Sequence, residues 1–256
     1  MNDSETRSSS TRGSFIVFEG LDRSGKSTQS KLLNQRLIES LKGPSRLIRF
    51  PDRLTPIGKI IDSYLCQRSE LDDRVIHLLF SANRWEKSGM IRDCLERGEN
   101  VICDRYAFSG LAFTLAKLRM NHQKLGTMEE DEDGMLIRDL STPDKSLPLP
   151  DLIIFIKMDR IETDLEGREG FGEERYETLK IQREVKNQFE GSVKTFFQSI
   201  HHQSEPKDCS KSVYDPRRIW VEVDGTGSIE TVEERIWDVV KDYLNPTQPV
   251  GNLWVK

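Results

Sequence analysis

Residues Gly20 to Ser27 read G-L-D-R-S-G-K-S. Two glycines with this spacing let a backbone turn until its N–H groups point inward. The lysine reaches terminal phosphates, and the serine hydroxyl is placed to meet Mg²⁺. Gly20, Ser24, Gly25, Lys26, Ser27 and Thr28 are therefore the candidate cradle for a nucleoside triphosphate. Asp22 and Arg23 sit inside the loop although wrapping phosphates requires neither, so they need a separate account. Further on, "VICDR" is an apolar run closing on Asp104. A carboxylate in that place either holds the magnesium water shell or caps a following helix. Beside a phosphate loop the first role is the stronger.

The elements that must position these residues follow from the apolar pattern. Ser14 to Glu19 reads as a buried strand that ends at Gly20, and Lys26 to Leu41 has helical periodicity through Leu32, Leu33, Leu37 and Leu41. Arg46 to Phe50 is expected as a second strand, Asp72 to Arg97 as a long helix, and Asn100 to Cys103 as a third strand. In the long helix Val75, Leu78, Leu79, Ala82 and Trp85 share an apolar side. "DLIIFIKM", Asp151 to Met158, has the nearly continuous apolar character of a central parallel strand. Glu174 to Phe197 reads as helix, Ile219 to Val223 as the last strand and Ser228 to Leu244 as the last helix. Strands alternating with helices predict an α/β, three-layer P-loop NTPase fold with a five-stranded parallel sheet flanked by helices. A floppy tail over 1–13 is expected to precede one domain over 14–256. Two polar segments, 121–146 and 201–218, read as inserted solvated loops.

The chain has 256 residues, of which 32% are charged, and a net charge of -5. That balance disfavours nucleic-acid binding as the main activity. No apolar run is long enough to span a bilayer, so no membrane role is expected. Cys66, Cys94, Cys103 and Cys209 form no CxxC pair, and reduced thiols in a cytoplasmic protein are expected. His201, His202 and Cys209 lack a fourth ligand and compact spacing, and read as polar loop rather than metal site.

A guanine reader is missing: Ile156-Lys157-Met158-Asp159 has isoleucine where an amide or hydroxyl belongs. The remaining charge points to an acceptor that is itself a phosphate ester. Arg53 follows the second strand and Arg105 follows Asp104, at the carboxyl ends of strands where α/β sheets bind ligands. Phe80 and Arg84 are four apart on one helix and share a face. Such a pair can stack on a base and donate to its carbonyl. By spacing alone, core and solvent remain open for them.

"FEGLDRSGKSTQS", "RFPDR", "LLFSANRWE", "DRYAFSGLAFT", "LPLPDLIIF" and "GREGFGEERYE" occur in this order. Together they resemble the thymidylate kinase family, and the loop arginine resembles its eukaryotic kind. The resemblance runs from Phe15 to the C-terminal "GNLW", apart from the two polar segments. It implies transfer from ATP to dTMP, giving ADP and dTDP for dTTP synthesis, with Mg²⁺ as cofactor and a homodimer as assembly. It also implies roles for single residues. Lys26 and the loop amides hold the ATP phosphates, Arg23 reaches the transferring group, and Ser27 and Asp104 serve the metal. Asp22 meets the acceptor near its sugar. Arg53 and Arg105 bind the dTMP phosphate, Phe80 stacks on thymine and Arg84 meets a thymine carbonyl. Phe50, Ser109 and Gly110 line the same subsite. Tyr106 borders the sugar, Tyr176 and Gln182 approach the thymidine side, and Arg168 belongs to a lid over about 166–174 that lies against adenine.

The chemistry explains the two odd loop residues. A phosphate monoester is largely ionised near neutral pH because its second pKa is about 6, so no strong base is needed. The difficulty is bringing two anions together, which calls for cations and positioning. Arg23 then acts as an arginine finger carried within the loop, and Asp22 as the orienter of the acceptor.

Overall fold

The computed structural model describes residues 11–41, 43–125, 133–158, 174–201 and 219–255. Five parallel strands form one sheet, β1 (Phe15–Gly20), β2 (Ser45–Arg49), β3 (Asn100–Asp104), β4 (Leu152–Lys157) and β5 (Trp220–Asp224), in the order β2-β3-β1-β4-β5. The helices are α1 (Lys26–Leu41), α2 (Pro56–Leu65), α3 (Asp73–Glu96), α4 (Ala107–Leu125), α5 (Asp133–Ser141), α6 (Leu179–Gln188), α7 (Lys194–His201) and α8 (Ile229–Val240).

Alternation along the strands divides the core. Phe15 and Val17 of β1, with Cys103 and Phe155 beside them, face α3, α4, α6 and α7. Ile16 and Phe18, with Ile102, Ile154 and Ile156, face Leu33 and Leu37 of α1 and Val232 and Ile236 of α8. A strand buried on both faces must be apolar at every position, which is why β1 and β3 are wholly buried. A smaller cluster of Ile61, Tyr64, Leu65, Ile76 and Tyr176 lies under the ligand cleft. Cys66, Cys94 and Cys103 are free thiols.

The expected strands and α1 agree with the structure to within a residue or so, and four expectations need correction. Packing begins before Ser14, because Arg12 makes a bidentate ion pair with Asp151 at 2.6 and 2.7 Å. Glu174 to Thr178 is not helical: Thr178 caps α6 by accepting from Ile181 N, and a π turn over Phe189–Val193 interrupts the run before α7. The stretch 121–146 is not simply a solvated loop. It supplies the end of α4, α5 with buried Ile137 and Leu140, and a 3₁₀ turn at Thr142–Asp144 whose aspartate is wholly buried. In α3 the residues facing inward include His77, Ser81, Asn83 and Arg84, while Val75, Leu78 and Trp85 are exposed. The polar groups turn inward because partners await them there: Asp144 for Ser81 and Arg84, the Leu140 carbonyl for His77, and Thr55 for Asn83. Residues 202–218 and the lid, apart from Glu174, lie outside the described residues.

Candidate active site

The phosphate loop leaves the central strand and opens α1. Gly20 has φ +143°, and a Cβ there would stand 2.8 Å from the Ile156 carbonyl oxygen, so only glycine fits. Gly25 has φ +97°. Arg23 and Arg105 also adopt positive φ, at 59° and 68°, a conformation that side chains other than glycine rarely take. Both therefore project from tightly determined turns. Lys26 is buried and donates to the Leu21 carbonyl and, at 3.3 Å, to Ser24 Oγ. Burial, helped by the charge of Arg105, pulls its pKa down to about 7. Ser24 is buried in the loop, and Thr28 is exposed on the first turn of α1.

Ser27 Oγ donates to Asp104 Oδ2 at 2.5 Å, and Arg49 Nε approaches the same oxygen at 3.6 Å. Asp104 is almost wholly buried, and among the described residues its Oδ1 has no partner. An unsatisfied buried carboxylate oxygen beside a serine hydroxyl fits a hard, oxygen-seeking cation. Ser27 and Asp104 thus meet the chemical requirement for Mg²⁺.

A cleft begins where the loop ends, lined at this end by Asp22, Arg49, Arg53 and Arg105 and deeper in by Phe80 and Arg84. At the junction, Arg105 Nη2 donates to Asp22 Oδ1 at 2.5 Å and its Nη1 to Gly20 O and Ser109 Oγ. Asp22 Oδ2 accepts from Gln182 Nε2 at 2.7 Å, and Asp22 N donates to Gln182 Oε1 at 2.9 Å. The loop, the β3 turn and α6 are thereby fastened at one point. Arg53 is held between Asp62 at 2.7 Å and Glu174 at 2.6 Å, and Arg23 Nε donates to Glu177 at 3.0 Å.

Deeper in, Phe80 is half-buried and Arg84 lies against Gly110, where a Cβ would stand 3.0 Å from Nη2. Arg84 donates from Nε and Nη2 to Asp144 at 3.0 and 2.6 Å, and Ser81 donates to the same carboxylate at 2.7 Å. Tyr106 is buried against Phe15 and Phe50, and its hydroxyl donates to Pro148 O rather than into the cleft. Tyr176 shares a hydroxyl contact of 3.2 Å with Tyr64. Phe50, Tyr106, Ser109, Gly110 and Tyr176 all border the cleft.

The expected residues thus converge, apart from Arg168, which lies outside the described residues. The sequence left several acidic partners unremarked, Asp62 among them. Glu19, wholly buried, accepts from the Tyr106 and Ser109 amides at 2.9 and 3.1 Å and from Ser109 Oγ at 2.5 Å. Burial pushes its pKa up, against these bonds and Arg105. A glutamate inside "FIVFEG" was a visible signal, since a charge in an apolar strand must find partners. Glu174, Glu177 and Asp144 carried no comparable local signal.

The family model described as thymidylate kinase matches residues 18–236. A thymidylate kinase of Danio rerio is 37% identical over 245 residues, covering 95% of this chain and 98% of its own. One of Schizosaccharomyces pombe is 40% identical, covering 92% and 95%. The solved thymidylate kinase of Candida albicans superposes with a TM-score of 0.74 at 36% identity, covering 95% of this chain and 99% of that one.

Proposed function

We propose, for a chain that belongs to the thymidylate kinase family and transfers a phosphoryl group from ATP to dTMP on the way to dTTP, the following division of labour. Lys26 and the loop amides hold the ATP phosphates, and Ser27 and Asp104 hold Mg²⁺, which offsets phosphate charge when bound. Arg53 and Arg105 receive the dTMP phosphate. A dianionic phosphate oxygen of dTMP attacks the γ-phosphorus. Its bond forms as the bond to the β-phosphate oxygen breaks, and ADP leaves with that electron pair. No proton needs to be removed first.

Arg23 bridges to the group in flight and stabilises the charge spread over its oxygens. Arg23 and Arg53 pair with Glu177 and Glu174, and substrate phosphates replace or share those carboxylates. Asp22 and Gln182 orient the sugar, with Tyr106, Ser109 and Tyr176 around it. Phe80 stacks on the base and Arg84 donates to its carbonyl. Arg168, in the lid, covers adenine.

The observation that carries this reading is the Arg105–Asp22–Gln182 junction, which joins a triphosphate loop directly to a base-sized cleft. ADP release over a panel of dTMP, dUMP, UMP and dGMP tests it. The expected result is the highest kcat/KM for dTMP; a higher value for another monophosphate would overturn it.

A homodimer is the proposed assembly. Val75, Leu78 and Trp85 form an exposed apolar stripe on α3, suited to a second copy. Leu78→Asp should shift the sedimentation coefficient to that of a monomer. A cytoplasmic setting is proposed from the free thiols, which persist in reducing compartments. Among the described residues no helix is long and apolar enough to cross a membrane.

A further inference from the structure

Glu19 is the one charged residue of β1, and it is 0% exposed. A buried carboxylate is costly unless hydrogen-bond donors answer it. Here the answers come from the turn that leads from β3 into α4. Oε1 accepts from the amides of Tyr106 and Ser109, and Oε2 faces Ser109 Oγ at 2.5 Å. N–H groups at a helix start have no carbonyl within the helix to meet. Glu19 therefore caps α4 from a strand, although it is far from that helix in sequence. It is not among the residues that line the cleft.

The turn that Glu19 fixes carries Arg105. That residue holds φ +68°, a conformation that persists only where the surroundings over-determine it. Its Nη1 donates to Ser109 Oγ at 2.9 Å. The Ser109 hydroxyl thus stands between a carboxylate and a guanidinium. Whichever of Glu19 and Ser109 carries the shared hydrogen, Oγ keeps a lone pair for Nη1. With Asp22 on Nη2, the planar guanidinium is held from two sides and cannot swing. We infer that Glu19 is a positioning residue for the phosphoryl acceptor: through the Ser109 hydroxyl it holds Arg105 at the bearing from which the guanidinium meets the acceptor's phosphate.

The inference rests on the proposed function and concerns the phosphate alone. Two ligands test it, dTMP and thymidine, which differ only in that group. Titration calorimetry on the full chain gives Kd for each, and the ratio of thymidine to dTMP measures what the phosphate adds. Glu19→Gln keeps an acceptor for the two amides. It removes the charge and turns an amide N–H toward Ser109 Oγ. The ratio should fall about tenfold, the effect of one disturbed hydrogen bond to a charged group, while Kd for thymidine changes little. Ser109→Ala cuts the link and leaves Glu19 its two amides, and should lower the ratio by a similar factor. The double variant should lower it no further than either single one, since both break the same connection.

A folded Glu19→Gln protein with the wild-type ratio overturns the inference. So does an equal loss for thymidine and dTMP, because loosening of the α4 start would disturb Tyr106 and Gly110 beside the nucleoside as well. Additive losses in the double variant overturn the route through Ser109. If Glu19→Gln does not fold, Ser109→Ala decides: a wild-type ratio there overturns the inference. Wild type without dTMP turnover would instead overturn the function beneath it.

Discussion

At the phosphate end of the cleft, arginine partners are partly wet. Arg23 and Glu177 are 31% and 8% exposed, and Arg53 and Glu174 are 34% and 32% exposed. At the base end, Arg84 and Asp144 are 2% and 0% exposed. Arg53 and Glu174 are partly open to solvent, which screens the pair, so a phosphate can displace or share that carboxylate at smaller cost than in a buried pair. A buried pair is different: removing one member strands the other, at about 3–5 kcal/mol. On the proposed function, the same residue type therefore does two jobs. Where charge must be exchanged during turnover, the resting partner can leave. Where a base must be read identically each time, the partner stays.

The largest break in this contrast is expected from Arg23→Ala. Arginine fingers are worth about 10³–10⁵ in rate, so kcat should fall at least about a thousandfold with little change in the KM for dTMP. A steady-state kcat close to wild type would remove Arg23 from catalysis. Asp144→Ala comes next. It should cost about 3–5 kcal/mol in a denaturant melt, and Asp144→Asn, which keeps one acceptor for the guanidinium, should cost less. If Asp144→Ala melted like wild type, Arg84 would not depend on its partner and the contrast would fail.

Phe80→Ala alters the base end without touching charge. Base stacking is worth about 1–3 kcal/mol, so the KM for dTMP should rise roughly tenfold with kcat nearly retained. A loss of melting temperature alone would make Phe80 only a core residue.

The smallest effect concerns Lys26, which is buried yet, among the described residues, has no carboxylate in hydrogen-bond contact. Burial puts its pKa at about 7, below the ordinary lysine range. Between pH 7 and about 10.4 the unfolded chain binds more protons at this site. Stability from this group therefore rises with pH across that window, and the cost is full below it. Phosphate charge favours the ammonium form, so ATP binding at pH 8 should take up as much as about one proton. Calorimetry in two buffers of different ionisation enthalpy measures this, and Lys26→Met should abolish it. Equal proton uptake by Lys26→Met would assign the proton elsewhere.

Much of this molecule could be read locally. "FIVFEG", "VICD" and "LIIFIK" are apolar at successive positions because both faces of a central parallel strand are covered. The phosphate loop is legible because its function uses backbone amides and a helix start that are adjacent in sequence. The inner face of α3 was less so. Its polar residues turn inward and leave Val75, Leu78 and Trp85 outside, so a count of apolar spacing points to the wrong side. α6 begins later than its composition suggests because Thr178 caps it after a turn that carries Tyr176 and Glu177.

From its residues alone, then, this protein was committed to a parallel sheet, a triphosphate cradle and a set of cations at strand ends. Which carboxylate answers each cation was decided only by tertiary structure. Arg84 and Asp144 are 60 positions apart and Arg23 and Glu177 are 154 apart. A hydrogen bond or an ion pair acts over a few ångströms and is indifferent to chain separation, so its partner is chosen by packing rather than by neighbouring sequence.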